Sequence, residues 1–183
     1  MMSKEAVNQH MGLHGGSIVN IVACVDNGFP GMSHTGAARA GVINLTKSMA
    51  TELAHCGVRI NSVSPGIIYS ESAAKNYEDP NLLLSNAAKI PFKRLGTVEE
   101  VSSAVTFLAS PASSYVTGTN FTVDGGLTMA GTLWKVPSHE TQPPFAGDAS
   151  TLRPDEEDVE NPISKMSHLV DFSHLGNSAH REK

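Results

Sequence analysis

The sequence predicts an α/β fold: a doubly wound parallel sheet, three strands wide. Three short apolar runs carry that expectation, Ser17–Val22, Val58–Val63 and Thr119–Val123. Each is rich in β-branched residues and nearly continuous, as suits strands buried on both faces of a parallel sheet. Helix-period stretches separate them. The order strand, helix, strand, helix, strand is that of right-handed crossovers in one sheet.

The elements follow in chain order. Residues 1–12 read as the end of a helix closed by Gly12, and Gly15 and Gly16 then punctuate the chain. The first strand runs into a loop through Asp26, Asn27, Gly28 and Pro30. A helix is expected from Ser33 to His55, because Val42, Leu45, Met49 and Leu53 recur at helical spacing and would face the sheet. Ala37, Ala38, Ala40 and Gly41 are small enough to let another helix approach, and Gly57 is placed to end the helix. The second strand stops at Ser64-Pro65-Gly66, and residues 71–92 read as a helical excursion ending at Pro91. Thr97 with Glu100 forms a capping box that opens a helix through Val101, Ala104, Val105 and Leu108. Pro111, Ser113 and Ser114 stop it, and the third strand leads into Asp124-Gly125-Gly126. The domain is expected over residues 1–135. Beyond it Pro137, Pro143, Pro144, Pro154 and Pro162 and the acidic run Asp155–Asp158 predict an irregular tail over 136–183, with a weak helix from Ile163 to Leu175.

Composition excludes several classes. The chain has 183 residues and a net charge of −5, and no basic stretch offers a row of phosphate contacts, so nucleic acid is not an expected partner. No stretch approaches the ~18 consecutive apolar residues of a membrane span. The first ten residues lack the apolar core of a secretion signal. Cys24 and Cys56 form no CxxC pair and read as reduced, partly buried thiols of an intracellular protein. No HExxH motif occurs among the eight histidines, and no metal site is expected.

Five segments taken together resemble the short-chain dehydrogenase/reductase family: GSIVNI from Gly16, LTKSMATEL from Leu45, VRINSVSPG from Val58, RLGTVEEV from Arg94, and Val116-Thr-Gly with VDGG from Val123. The resemblance covers about residues 12–128. GAARAGV from Gly36, VPSH from Val136 and AGD from Ala146 narrow it to the peroxisomal trans-2-enoyl-CoA reductases. It implies a Rossmann-type fold and reduction of a 2,3-unsaturated acyl-CoA by NADPH in fatty-acid elongation and lipid metabolism. It also implies a homo-oligomer built through the Ser33–His55 helix, and a peroxisomal location. The C-terminal Arg181-Glu182-Lys183 does not match the family's small-basic-Leu import tripeptide, which leaves a cytoplasmic location open. Against this family the chain begins after the fourth strand, because no Gly-rich GxxxGxG loop occurs in it. The N-terminal half that binds the cofactor's phosphates is thus expected to be missing, which turns the first strand into an apolar edge.

Ligands of an open parallel sheet sit beyond the C-terminal ends of its strands. Asn20 stands at one such end, and Pro65, Gly66, Ile67 and Ile68 at another, where the turn either meets the nicotinamide amide, as in the family, or simply ends a strand. The family's acid is a Tyr four residues before a Lys, one turn away on the same helix. The usual frame places Thr35 and Arg39 there, and a second frame places Ile43 before Lys47, so neither frame supplies a Tyr. Ile donates no proton and a Thr hydroxyl is a poor acid. Arg39 and Lys47 are the remaining catalytic candidates, Arg39 orienting a ribose or phosphate or lying on the helix surface, Lys47 catalytic or solvated. Val22-Ala23-Cys24 stands where the family keeps a Ser, with Ser33 and His34 nearby. Tyr69 and Tyr77 lie in the substrate loop, where Leu82, Leu83 and Leu84 either line an acyl groove or join the core. Two further readings stay open: a non-catalytic partner of the same fold, and a fragment without a stable fold.

Overall fold

The computed structural model describes residues 2–29, 31–72, 84–129 and 145. The expected tail over 136–183 with its weak helix, Tyr77, Leu82 and Leu83 therefore lie outside the described residues, apart from Phe145.

The described residues form a parallel three-stranded sheet, with β1 (Gly16–Ile21), β2 (Val58–Pro65) and β3 (Asn120–Val123) in that order. Gly16 pairs with Val58 and Ile21 with Val63, while Ser62 pairs with Asn120 and Pro65 with Val123. Among the described residues the outer edge of β1 is unpaired, as the sequence predicts. Helix α1 comprises an α-helical turn (Met2–Ala6), a π-helical turn (Val7–Met11) and a closing turn (Gly12–His14). Helices α2 (Ser33–Glu52) and α3 (Val98–Ala109) connect the strands and cover opposite faces of the sheet.

Alternation along the strands sorts the two faces. Ile18, Val58 and Ile60 pack with Met49, Ala50 and Leu53 of α2. On the other face the Ser17 hydroxyl (2.8 Å) and the Arg59 guanidinium (2.9 Å) both donate to the Leu108 carbonyl of α3. Arg59 also donates to the Ser110 carbonyl, so a cation satisfies the carbonyls that α3 leaves open at its C-terminus.

Two expectations need correction. Gly12 does not close α1: it is helical (φ −61°), and the helix continues to His14 before Gly15, at φ +70°, turns the chain. There glycine is free to adopt a positive φ that other residues resist. On α2, Leu45 does not face the sheet but is 45 % exposed, and the buried positions are Gly36, Thr46 and Ala50. Met49 and Leu53 do pack inward as expected, and Thr46 rather than Leu45 fills the turn before them. A polar contact sets it: Asn20 donates to the Thr46 hydroxyl (2.9 Å), which donates to the Val42 carbonyl (2.8 Å). Apolar periodicity carries no record of that pair. The α-helix stops at Glu52, and a 3₁₀ turn over Ala54–Cys56 follows before Gly57 (φ +71°).

The α3 capping box is present. Thr97 accepts from the Glu100 N–H (3.3 Å) and the Glu100 carboxylate accepts from the Thr97 N–H (2.9 Å). The same carboxylate takes both arms of the buried Arg94 guanidinium, at 2.7 and 3.0 Å. Burial pushes the Glu100 carboxyl up, but the Arg94 and Thr97 hydrogen bonds and the Arg94 charge outweigh it, leaving the group below its usual range.

Candidate functional site

Because the strands are parallel, all three C-terminal ends open on one side of the molecule. Three backbone bonds tie those ends together: Val22 N–H to Val63 O (2.9 Å), Cys24 N–H to Pro65 O (3.3 Å) and Gly66 N–H to Val123 O (2.9 Å). A Cβ on Gly66 would stand 2.8 Å from both Cα and Cβ of Asp124, so the close passage of these two loops admits only glycine. Asp124 is fixed in turn. Its carboxylate accepts from the Gly126 N–H (2.9 Å), the Thr128 N–H (2.8 Å) and the Thr128 hydroxyl (2.7 Å). Partial burial raises its pKa, and the Thr128 and Gly126 hydrogen bonds bring it below the usual range.

Past Gly66 the chain forms a parallel bridge to Gly96: Gly96 N–H donates to Ile67 O (3.0 Å) and Tyr69 N–H to Gly96 O (2.9 Å). The Ile67 carbonyl is thereby tied to the Gly96 N–H. The Ile67 and Ile68 N–H groups have no partner among the described residues. Both residues line two cavities. One, of about 620 Å³, is lined by Val22, Cys24, Phe29, Gly66 and Leu127 with the two isoleucines. The other, of about 530 Å³, is lined by Phe92, Arg94, Phe107, Phe121 and Asp124 with the same pair.

The structure brings Pro65, Gly66, Ile67 and Ile68 together at the first cavity. It does not bring Asn20 there, since its amide is committed to Thr46. Arg39 is exposed on α2 and makes no ion pair among the described residues. Lys47 is also exposed and borders a separate shallow pocket with Ala50, Thr51, Ala54, Thr117 and Gly118. That pocket lies at the start of β3, away from the strand ends. Ile43 is half-buried beside it on the helix. Cys24 faces the first cavity, and its thiol lies 3.4 Å from the Ser64 carbonyl. Burial above all, then Asp124 and Asp26, pushes this thiol up to about 12, which favours the protonated form at neutral pH. Sequence reasoning missed Asp124 as the residue that locks the turn; Asp before Gly-Gly is a signature of a side chain that hydrogen-bonds the following backbone, and it was there to be used. It also passed over the four-residue spacing of His10 and His14, whose rings lie 4.5 Å apart on α1.

Among the described residues no helix is long and apolar enough to cross a membrane.

Comparison with known proteins gives concordant matches. The family model described as enoyl-(acyl carrier protein) reductase matches residues 1–128. The 3-oxoacyl-[acyl-carrier-protein] reductase FabG of Vibrio harveyi is 42% identical over 130 residues, 70% of this chain and 52% of its own. The peroxisomal 2,4-dienoyl-CoA reductase SPS19 of Saccharomyces cerevisiae is 39% identical over 116 residues, 63% of this chain and 39% of its own. Among solved structures, a gluconate 5-dehydrogenase from Burkholderia cenocepacia in complex with NADP and tartrate superposes with a TM-score of 0.63 at 34% identity, covering 69% of this chain and 50% of that one. The chain thus spans about half the length of the curated relatives it matches, and less of the yeast enzyme.

Proposed function

The chain belongs to the short-chain dehydrogenase/reductase family, and from that premise we propose that it carries the nicotinamide-facing part of an NADPH-dependent reductase of fatty acyl thioesters. The observation that carries this is the pair of unpartnered N–H groups on Ile67 and Ile68, held at a strand end against an apolar cavity. Those residues fit the nicotinamide end of the cofactor. The two N–H groups would hold its carboxamide oxygen, the open face above Gly66 would admit the flat ring, and Val22, Phe29 and Leu127 would exclude water from it. When bound, the group supplies a hydride. Fixing the ring against a rigid turn orients that hydride and lowers the entropic cost of transfer.

The substrate class we propose is a trans-2-enoyl-CoA. The GAARAGV stretch of α2 and the similarity to a reductase of unsaturated acyl-CoA support it. A 3-oxoacyl thioester is the second reading, supported by the FabG relatives. α2 offers no Tyr for the proton needed after hydride transfer, since Ile43 precedes Lys47 and Thr35 precedes Arg39. That same substitution favours a non-catalytic role, in which the chain pairs with a homologous subunit through the small-residue face of α2.

Fluorescence titration of the full chain with NADPH, with circular dichroism in parallel, tests the proposal. Saturable binding, followed by NADPH oxidation with crotonyl-CoA faster than with acetoacetyl-CoA, is expected for the enoyl reading. The reverse preference would select the 3-oxoacyl reading. Binding without turnover would leave the partner role, and a folded chain without binding would sink the cofactor site.

A further inference from the structure

Helix α1 stands apart from the strand-end site. His10 and His14 lie four residues apart on its last two turns, and both are exposed. Their ring centroids are 4.5 Å apart and the ring planes are inclined by 32°. His10 lies within the Val7–Met11 π turn and His14 on the turn that follows, and the Gly12 N–H reaches back to the Val7 and His10 carbonyls. Such π turns are rare and recur at functional sites. We propose that His10 and His14 form a two-imidazole site for a divalent transition-metal ion of the class that imidazole nitrogen favours, Cu(II), Ni(II) or Zn(II).

The chemistry supports it in three ways. Imidazole is a preferred ligand for these ions. Residues four apart share one face of a helix, so the two rings, 4.5 Å apart, stand where a single ion with metal–nitrogen bonds of about 2.1 Å would bridge them. The rings also sit at the carbonyl end of α1, where the helix dipole favours positive charge. Glu5, the nearest acidic residue on the helix, accepts from Gln9 (3.2 Å), and water fills the remaining positions of the proposed site. The site has a structural consequence. No residue of 2–14 is fully buried, and only Met11 packs against the core cluster. An ion bridging the last turn would stabilise this weakly anchored helix and its entry into β1.

The test uses the full chain, with Cu(II) titration read by electron paramagnetic resonance and Zn(II) titration read by calorimetry and by the thermal midpoint. The wild type is expected to bind one ion saturably, with imidazole nitrogen coupling in the copper spectrum and a Zn(II)-dependent rise in midpoint. Both signals are expected to vanish in His10→Gln and in His14→Gln and to persist in a His34→Gln/His55→Gln double variant. The two rings are exposed, and circular dichroism reports whether each variant folds. Unchanged binding in either single variant, or no saturable binding by the wild type, would overturn the proposal.

Discussion

β1 and β2 pair residue for residue, Ile18 opposite Ile60 and Ile21 opposite Val63, and their sequences are of the same kind. Their environments are not. In β2, Val58, Ile60, Asn61, Ser62, Val63 and Ser64 are all buried. In β1 no residue is fully buried, and Ile21 is 56 % exposed. The difference comes from neighbours. Among the described residues β2 has a strand on each side and a helix on each face, whereas β1 has one strand and an open edge. The middle strand can therefore carry three polar residues in its buried run, because β3 and its approach satisfy them. Asn61 donates to the Val116 carbonyl (2.9 Å) and accepts from the Thr119 N–H (3.1 Å). Asn120 accepts from Ser62 (2.8 Å) and Ser64 (2.9 Å). A buried polar group is tolerated where its partners are fixed, and β2 is where the fold fixes them.

The largest expected effect separates the two strands directly. Ile60→Ala, at 0 % exposure, is expected to cost about 2–5 kcal/mol, while Ile21→Ala at the open end costs about 0.5 kcal/mol or less. Denaturant unfolding of both variants measures this, and equal losses would mean that β1 is covered in solution. A smaller effect tests the polar side of the contrast. Asn120→Ala is expected to cost about 1 kcal/mol, the low end for stranded hydroxyls, because Ser64 can still donate to the Ala23 carbonyl (3.1 Å). The same assay reads it.

The open and closed regions also differ in how far the sequence announced them. The three strands, their order, the Thr97 cap and the Pro65-Gly66 turn were legible because each is written in local residue types: β-branched runs, Thr and Glu three apart, Pro before Gly. The α2 seam was legible at Met49 and Leu53 but not at Leu45, where Thr46, bonded to Asn20, turns inward instead. The site was half legible. Pro65, Gly66, Ile67 and Ile68 do meet at one cavity, but Asn20, Arg39 and Lys47 do not join them. Sequence distance along a helix does not reveal which end of a strand the side chain reaches.

The smallest expected effect lies in the closed corner and depends on pH. Glu100 has a lowered carboxyl pKa in the folded chain, so its ionised form stabilises the fold above the unfolded-state value. That contribution is lost as pH falls through the lowered folded-state value. Glu100→Gln is expected to flatten this part of the stability curve in acid, with Asp124 supplying the acid dependence that remains. An unchanged slope in Glu100→Gln would mean that Arg94 does not hold the carboxylate in solution.

Two amides carry the proposed cofactor contact. In a ¹⁵N-labelled full chain titrated with NADPH, the Ile67 and Ile68 N–H signals are expected to shift furthest, saturating together with Gly66. A chain that binds NADPH while those two signals stay in place would contradict the claim.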